Sequence, residues 1–398
     1  MPGPSTAFDF TWTPLARTAM RLDDNIRGAS QNGEEAVGFD MGGGVSLKAQ
    51  NDSITSEIFP RFNLRRFAVG EDLDADEYSV AFNNDWLQPY YTTGLDFSYV
   101  RDSTLTTELT DAGRQNDVTN RNSISVQPSA SYFLTDKLAL QSSFMFNDVT
   151  FIDAATSGFF DFRYLQGSAG ISYKWREDLT TFANFFASDF DVTDQNSTTR
   201  TYGGQTGATW IWDETFELSG ALGWVASDIQ FTEQQLALAF NPTRIVIVDV
   251  PAQASAAGPI ASVTLRKVFD KTVAKFDYSR QVSPSGRGSQ STADRISLAL
   301  ERKLSDNLSL LFDGLHEMRS AQSQEVNPGL GVQDLNRDFS ELRGAVRYRL
   351  TKLWTLGASY RHAHSQSNNL NSSFSADVNT VFLTVDYNGL PNTFWNGF

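Results

Sequence analysis

The sequence predicts an all-β protein: a transmembrane, antiparallel, up-and-down β-barrel of about 18 strands (16–20). Three observations lead there. Candidate ordered stretches alternate apolar and polar residues with period two. Short turns recur along the chain, separated by longer polar stretches. Aromatic residues gather beside the short turns.

The alternation is clearest in Leu342-Arg343-Gly344-Ala345-Val346-Arg347-Tyr348-Arg349-Leu350. Successive side chains of a strand point to opposite faces. Leu342, Val346, Tyr348 and Leu350 therefore share one face, and Arg343, Arg347 and Arg349 the other. A soluble sandwich would bury the oily face against a second sheet, whereas a membrane barrel turns it to lipid and the polar face to a wet lumen. The same reading turns Leu165, Ala169, Ile171, Tyr173 and Trp175 to lipid, with Gln166, Ser168, Ser172, Lys174 and Arg176 inward. In 216–226, Phe216, Leu218, Leu222, Trp224 and Ala226 face lipid. In 353–361, Trp354, Leu356, Ala358 and Tyr360 do so. The small residues opposite them leave room for an open lumen.

Eight short turns are legible: Gln50-Asn51-Asp52, Leu87-Gln88-Pro89, Thr135-Asp136-Lys137, Arg176-Glu177-Asp178, Trp212-Asp213-Glu214, Asp270-Lys271, Ser305-Asp306-Asn307 and Thr351-Lys352. Between them lie polar stretches such as 102–121, 151–160, 190–200, 281–292, 319–338 and 365–375. Tight turns at one end and long loops at the other mark an outer-membrane barrel. Eight such turns give nine hairpins with both termini on the periplasmic side. Residues 1–398 form a single domain on this reading. A propeller would show a recurring blade motif, and none is found. Trp86, Tyr90, Tyr91, Tyr132, Phe133, Trp175, Trp210, Trp212, Phe216, Phe269, Tyr348 and Trp354 sit near the short turns, where an interfacial girdle belongs.

Composition sets limits. Charged residues make up 20%, apolar residues 40% and aromatics 13%, and the mean hydropathy is −0.32. No apolar run approaches the ~18 residues of a membrane helix. Cysteine is absent, which excludes disulfides and thiol chemistry. A net charge of −15 argues against nucleic-acid binding. Met1-Pro2-Gly3-Pro4 has no basic segment leading into an apolar core, so a mature form with an added start is expected.

The inward basic set is the main functional feature: Arg61, Arg65, Lys174, Arg176, Arg266, Arg343, Arg347, Arg349 and Arg361 are the candidate pore-lining residues. Arginines in a pore favour anions and bind carboxylate or phosphate bidentately. Asp96, Glu217, Asp277, Glu301, Asp313 and Asp386 also face inward, so the alternative is that these charges pair across strands and merely solvate the wall.

Other features are weaker. Glu71, Asp72, Asp74, Asp76 and Glu77 crowd one loop, without calcium-loop spacing. The segment 228–259 reads as a long loop that either constricts the lumen or extends a hairpin. His362 and His364 share a face, and His316 points to lipid or the rim; none lies in a recognisable nucleophile motif. Neither catalysis, metal nor cofactor is expected. The last strand reads Val381-Phe382-Leu383-Thr384-Val385-Asp386-Tyr387. Gly389-Leu390-Pro391-Asn392 then interrupts the pattern before Phe394-Trp395 and the terminal Phe398, so a short tail is expected beyond Tyr387.

In size, strand number and the segment Arg21-Leu22-Asp23-Asp24-Asn25, the chain resembles the β-barrel porins associated with bacterial exopolysaccharide gene clusters. In that family an aromatic-Asp-Asp-Asn segment ends the first strand near the extracellular rim. Leu22 stands here in place of the aromatic. The resemblance implies a bacterial outer-membrane channel that exports polysaccharide or passes solutes. Its expected partners are membrane lipid, lipopolysaccharide, polysaccharide and periplasmic export proteins, with no enzyme activity. The alternatives are a general diffusion porin for small solutes, or a surface barrel whose loops bind polymers or partner proteins.

Overall fold

The computed structural model describes residues 7–29, 33–68, 73–104, 119–152, 159–192, 197–239, 244–284, 290–321, 336–369 and 372–396. The strands in chain order are β1 (Asp9–Asp23), β2 (Ala36–Gln50), β3 (Ile54–Phe67), β4 (Ala75–Leu87), β5 (Tyr91–Ser103) and β6 (Asn120–Phe133). They continue with β7 (Leu138–Phe151), β8 (Phe162–Arg176), β9 (Leu179–Val192), β10 (Ser197–Asp213), β11 (Phe216–Ala239) and β12 (Arg244–Val268). The last are β13 (Thr272–Pro284), β14 (Gln290–Lys303), β15 (Leu308–Ala321), β16 (Asn336–Arg349), β17 (Trp354–Asn369), β18 (Ser372–Asn388) and the short β19 (Asn392–Asn396). From β1 to β18 each pairs antiparallel with the next, β19 pairs with β1, and β1 pairs with both β2 and β18, so the sheet closes on itself. Closure leaves no edge strand, which is what lipid demands of a sheet.

All eight short turns sit where the spacing puts them, at the end of the barrel where β1 begins and β19 ends. Several are closed by their own polar side chains. Asn51 Oδ1 accepts from the Ser53 and Ile54 amides at 2.9 and 2.7 Å, and Thr351 Oγ1 accepts from the Leu353 and Trp354 amides. Such side-chain capping is why Asn, Thr and Ser occupy these turns.

At the other end the strands run further than the polar composition predicts. Stretch 365–375 is almost wholly ladder, since β17 reaches Asn369 and β18 starts at Ser372. Stretches 190–200 and 281–292 are likewise mostly strand, while 102–121 and 319–338 lie largely outside the described residues. The physical reason is that both faces are wet beyond the lipid, so alternation fades while backbone pairing continues. Of the two alternatives for 228–259, the extended hairpin is the one formed: rather than an irregular loop, the segment is the upper part of the β11–β12 hairpin, paired from Asp228↔Ser255 to Ala239↔Arg244.

The tail beyond Tyr387 rejoins the sheet. Asn388 pairs with Leu15, and β19 pairs Asn392 with Trp12 and Asn396 with Asp9. Between them the Gly389 amide donates to the Pro14 carbonyl at 2.8 Å. Pro14 and Pro391, which lack a ladder donor, both sit at this interruption, as proline in a strand should.

The ladder fixes the faces. Large exposed hydrophobics occupy the outer one: Phe39, Ile58, Leu222, Leu342 and Leu383, for example. Near the short turns it carries Trp86 edge-on to Tyr91 at 5.5 Å, Trp210 beside Trp212 at 4.7 Å and Trp354 beside Tyr387 at 4.9 Å. Toward the loop end the outer face turns charged, with the pairs Arg66–Asp76 (2.6 Å), Arg163–Asp148 (3.1 Å), Arg200–Asp189 (3.2 Å) and Arg280–Asp294 (3.3 Å). An apolar belt between an aromatic girdle and a charged ring is the outer wall of a barrel that spans a membrane.

Buried apolar clusters lie inside the barrel, toward the loop end. Phe159, from the β7–β8 connection, stacks on Phe151 at 4.9 Å and packs among inward-facing Val149, Phe162, Tyr164, Phe190 and Val192. Ile26 and Leu73 pack with Ala36 and Phe67 in a second cluster. Connecting segments thus tuck into the mouth.

Candidate functional site: the lumen wall

Because cross-strand partners share a face, the register sorts every inward charge. Arg61 and Arg65 lie on the inner face of β3, opposite Gly44 and Asp40. Lys174 lies on the inner face of β8, opposite Thr180. Arg266 is opposite Glu217. Arg343, Arg347 and Arg349 face Arg361, Gly357 and Thr355 of β17. Arg176 is the exception. A register shift between Lys174 and Arg176 pairs it with Leu179, which shares the outer face with Trp210. Its side chain is exposed at the tight turn and bonds Asp178 at 3.0 Å. Simple alternation failed because the bulge adds one residue, and one residue inverts the face.

Proximity divides this set into two kinds. Arg65 is buried and held by two carboxylates, Asp40 at 2.8 Å and Glu77 at 3.1 Å; Asn63 also donates to Glu77 at 2.9 Å. Arg361 is nearly buried and pairs with Glu341 at 2.7 Å. These cations serve the wall. Arg61, Lys174, Arg266, Arg343 and Arg347 have no carboxylate within ion-pair distance among the described residues. Arg349 donates to the Asp306 carbonyl at 2.5 Å, at the rim beside the turn.

Residues the sequence reading did not select complete the inner wall. Arg121 bonds Asp102 at 2.9 Å, Arg319 bonds Glu317 at 2.7 Å, and Arg17 lies 3.6 Å from Asp386. Arg295, Arg319 and Arg337 are inward by the same parity rule. The signal was therefore present, but the polar residues around them near the loop end obscured which face was which. The predicted inward acids Asp96, Glu217, Asp277, Glu301, Asp313 and Asp386 all lie on this face.

The segment Arg21-Leu22-Asp23-Asp24-Asn25 is built into the barrel seam. Asp23 accepts from Arg21 and from Thr380 Oγ1 at 2.5 Å. Asp24 accepts from the Asn379 amide at 2.7 Å and side chain at 2.6 Å. Asn25 donates to the Asp377 carbonyl at 2.9 Å and, through Oδ1, caps the turn at Ala29, next to Gly28 with φ 62°. These bonds tie the first strand to the last at the rim.

The acidic cluster near residue 74 is dispersed by its strand. Asp76 points outward to Arg66, Glu77 inward to Arg65, and Asp74 accepts from the Phe67 amide; Glu71 and Asp72 lie outside the described residues. No grouping of His, Cys, Asp and Glu among the described residues suits a metal ion. All three histidines face outward at the upper edge of the belt. His316 bonds Ser340 at 2.8 Å, His362 bonds Asn379 at 2.9 Å, and His364 bonds Asp377 at 2.7 Å.

Neither a protein-family model nor a curated protein matches this chain. Solved structures do match in outline. Pseudomonas aeruginosa OpdQ aligns with TM-score 0.47 at 11% identity, covering 97% of this chain and 100% of that one. Pseudomonas aeruginosa OccK2 (OpdF) aligns with TM-score 0.47 at 11% identity, over 97% and 98%. The closed form of the Escherichia coli ferric-catecholate import receptor Fiu aligns with TM-score 0.48 at 9% identity, over 97% and 82%. The architecture stands on this chain's own closed ladder.

Proposed function

We propose that this barrel is a passive channel of the bacterial outer membrane for small polar solutes, favouring anions. The observation that carries this reading is the juxtaposition of Arg343 and Arg361. They are direct cross-strand partners on the inner face, and only Arg361 has a carboxylate in contact. Like charges set opposite one another destabilise a sheet unless something offsets them. Asp313, opposite Arg343 on β15, supplies part of that offset without touching it, and a lumen that admits mobile anions would supply the rest. Arg347, four residues further toward the short turns on the same face, continues the cationic path. Barrels of 16–18 strands enclose an aqueous channel, and small inward residues such as Ser143, Ser168, Thr209 and Ser219 occupy little of it.

Small-solute passage requires nothing beyond this lumen. Export of an anionic exopolysaccharide is a narrower form of the same reading, and its support is the sequence resemblance together with the same arginines. Around the outside, the arginine–aspartate ring would meet lipid headgroups, including those of lipopolysaccharide.

The test is conductance of the purified protein in a planar bilayer, with reversal potential read across a potassium chloride gradient. An open, chloride-preferring current is expected. A cation-preferring current, or none at any voltage, would overturn the proposal.

A further inference from the structure

The inner wall beside the seam holds a recess that contains a local break in the ladder. Pro60 cannot donate to the ladder, and the β2–β3 pairing skips from Gly44↔Arg61 to Leu47↔Ile58. Gly42-Gly43-Gly44 lies against this break. A Cβ on Gly42 would come 2.8 Å from the Phe62 carbonyl oxygen, and one on Gly44 2.7 Å from that of Pro60. Only glycine lets the strands approach so closely. Around this break the wall forms an open recess of about 520 Å³ whose lining runs from Asp386 on β18 to Asp102 on β5, with Leu15, Phe59, Arg61 and Val100 among its residues. That volume is in the range of small-molecule sites, roughly 300–1,000 Å³.

Its charges are unevenly satisfied. Each of its acids is already engaged: Asp386 with Arg17, Glu77 with Arg65, and Asp102 with Arg121. Arg61 is exposed and has no carboxylate in contact among the described residues. Its guanidinium sits over the Phe59 ring at 3.9 Å, while Phe59 itself backs onto Gly44. Stacking occupies the face of the guanidinium and holds its plane, leaving the edge N–H groups free for a bidentate partner.

We infer that this recess is a binding subsite for a small organic carboxylate. The carboxylate engages the edge of Arg61, and the apolar body rests on Leu15, Val100 and the glycine backbone. The inference rests on the channel reading only for how the ligand arrives. Arg61 on β3 stands five strands around the wall from Arg343 on β16, so the site is a separate station.

Calorimetric titration of the detergent-solubilised full chain with cyclohexanecarboxylate tests it, with the neutral cyclohexanecarboxamide as control. Saturable binding of the carboxylate and at least tenfold weaker binding of the amide are expected. Arg61→Gln should abolish the preference. Arg61→Lys, which keeps charge but loses the planar fork, should retain it in weakened form, by several-fold. Equal binding of acid and amide, no saturable binding of the acid to the unmodified chain, or unchanged affinity in Arg61→Gln would overturn the subsite. Bilayer conductance in chloride alone, measured on the same preparation, reports separately on the channel. A silent barrel that still binds carboxylate would refute the channel and leave the subsite standing.

Discussion

Two arcs of the inner wall use the same side chain to opposite ends. On β2–β4, Arg65 is shut between Asp40 and Glu77, 8% exposed, and fully neutralised. On β16, Arg343 and Arg347 stand without a carboxylate in contact among the described residues. Arg65 is a structural tie between three strands, whereas Arg343 and Arg347 are charge offered to the lumen. A buried cation removed from its acids leaves uncompensated charge, while a solvated one takes only its own field with it. An inward arginine is thus not by itself a pore residue; its neighbours decide.

That contrast can be broken experimentally. The largest effect is expected from Arg65→Ala, which leaves Asp40 and Glu77 facing each other half-buried. A loss of about 3–5 kcal/mol is expected for breaking such a group, read as a lower denaturation midpoint in guanidinium. Any variant that still folds should keep the selectivity of the original chain.

Arg343→Glu combined with Arg347→Glu should do the reverse. The reversal potential should move toward cation preference, with the folding midpoint within the roughly 0.5 kcal/mol typical of solvated substitutions. If stability collapses while selectivity holds, the distinction between the arcs is wrong.

Asp24→Ala probes the seam, where neither kind of arginine contributes. It removes two solvent-exposed acceptor bonds to Asn379, and about 0.5–1.5 kcal/mol should be lost, the net worth of hydrogen bonds whose donors water can then satisfy. Asn379→Ala should cost at least as much, because it keeps the backbone amide bond to Asp24 but also strips the side-chain bonds to Tyr360 and His362. The smallest effect is expected from Asp96→Asn, which removes one inward acid opposite Gln127. Selectivity should shift slightly toward anions, measured in the same salt gradient.

The two histidines of β17 illustrate how far face assignment reached. The reading that His362 and His364 share a face needed only their spacing, and they do share one. That they point outward, to Asn379 and Asp377, required the partner strand. The recess at Arg61 was less legible. Pro60 and three consecutive glycines are visible in the chain, but their meeting across β2 and β3 depends on register. The seam role of Asp23-Asp24-Asn25 was not legible at all, because its partners are some 350 residues away.

The chain alone determined the period-two alternation, the places of the short turns and hence the strand number, because each is set by a few adjacent residues. Even Arg176 was lost to sequence reasoning only through a single-residue bulge. Tertiary structure decided which charges are paired, where the sheet closes, and that residues 228–259 continue as ladder. Pairing energy depends on distances of a few ångströms between residues far apart in sequence, and only closure of the barrel sets those distances.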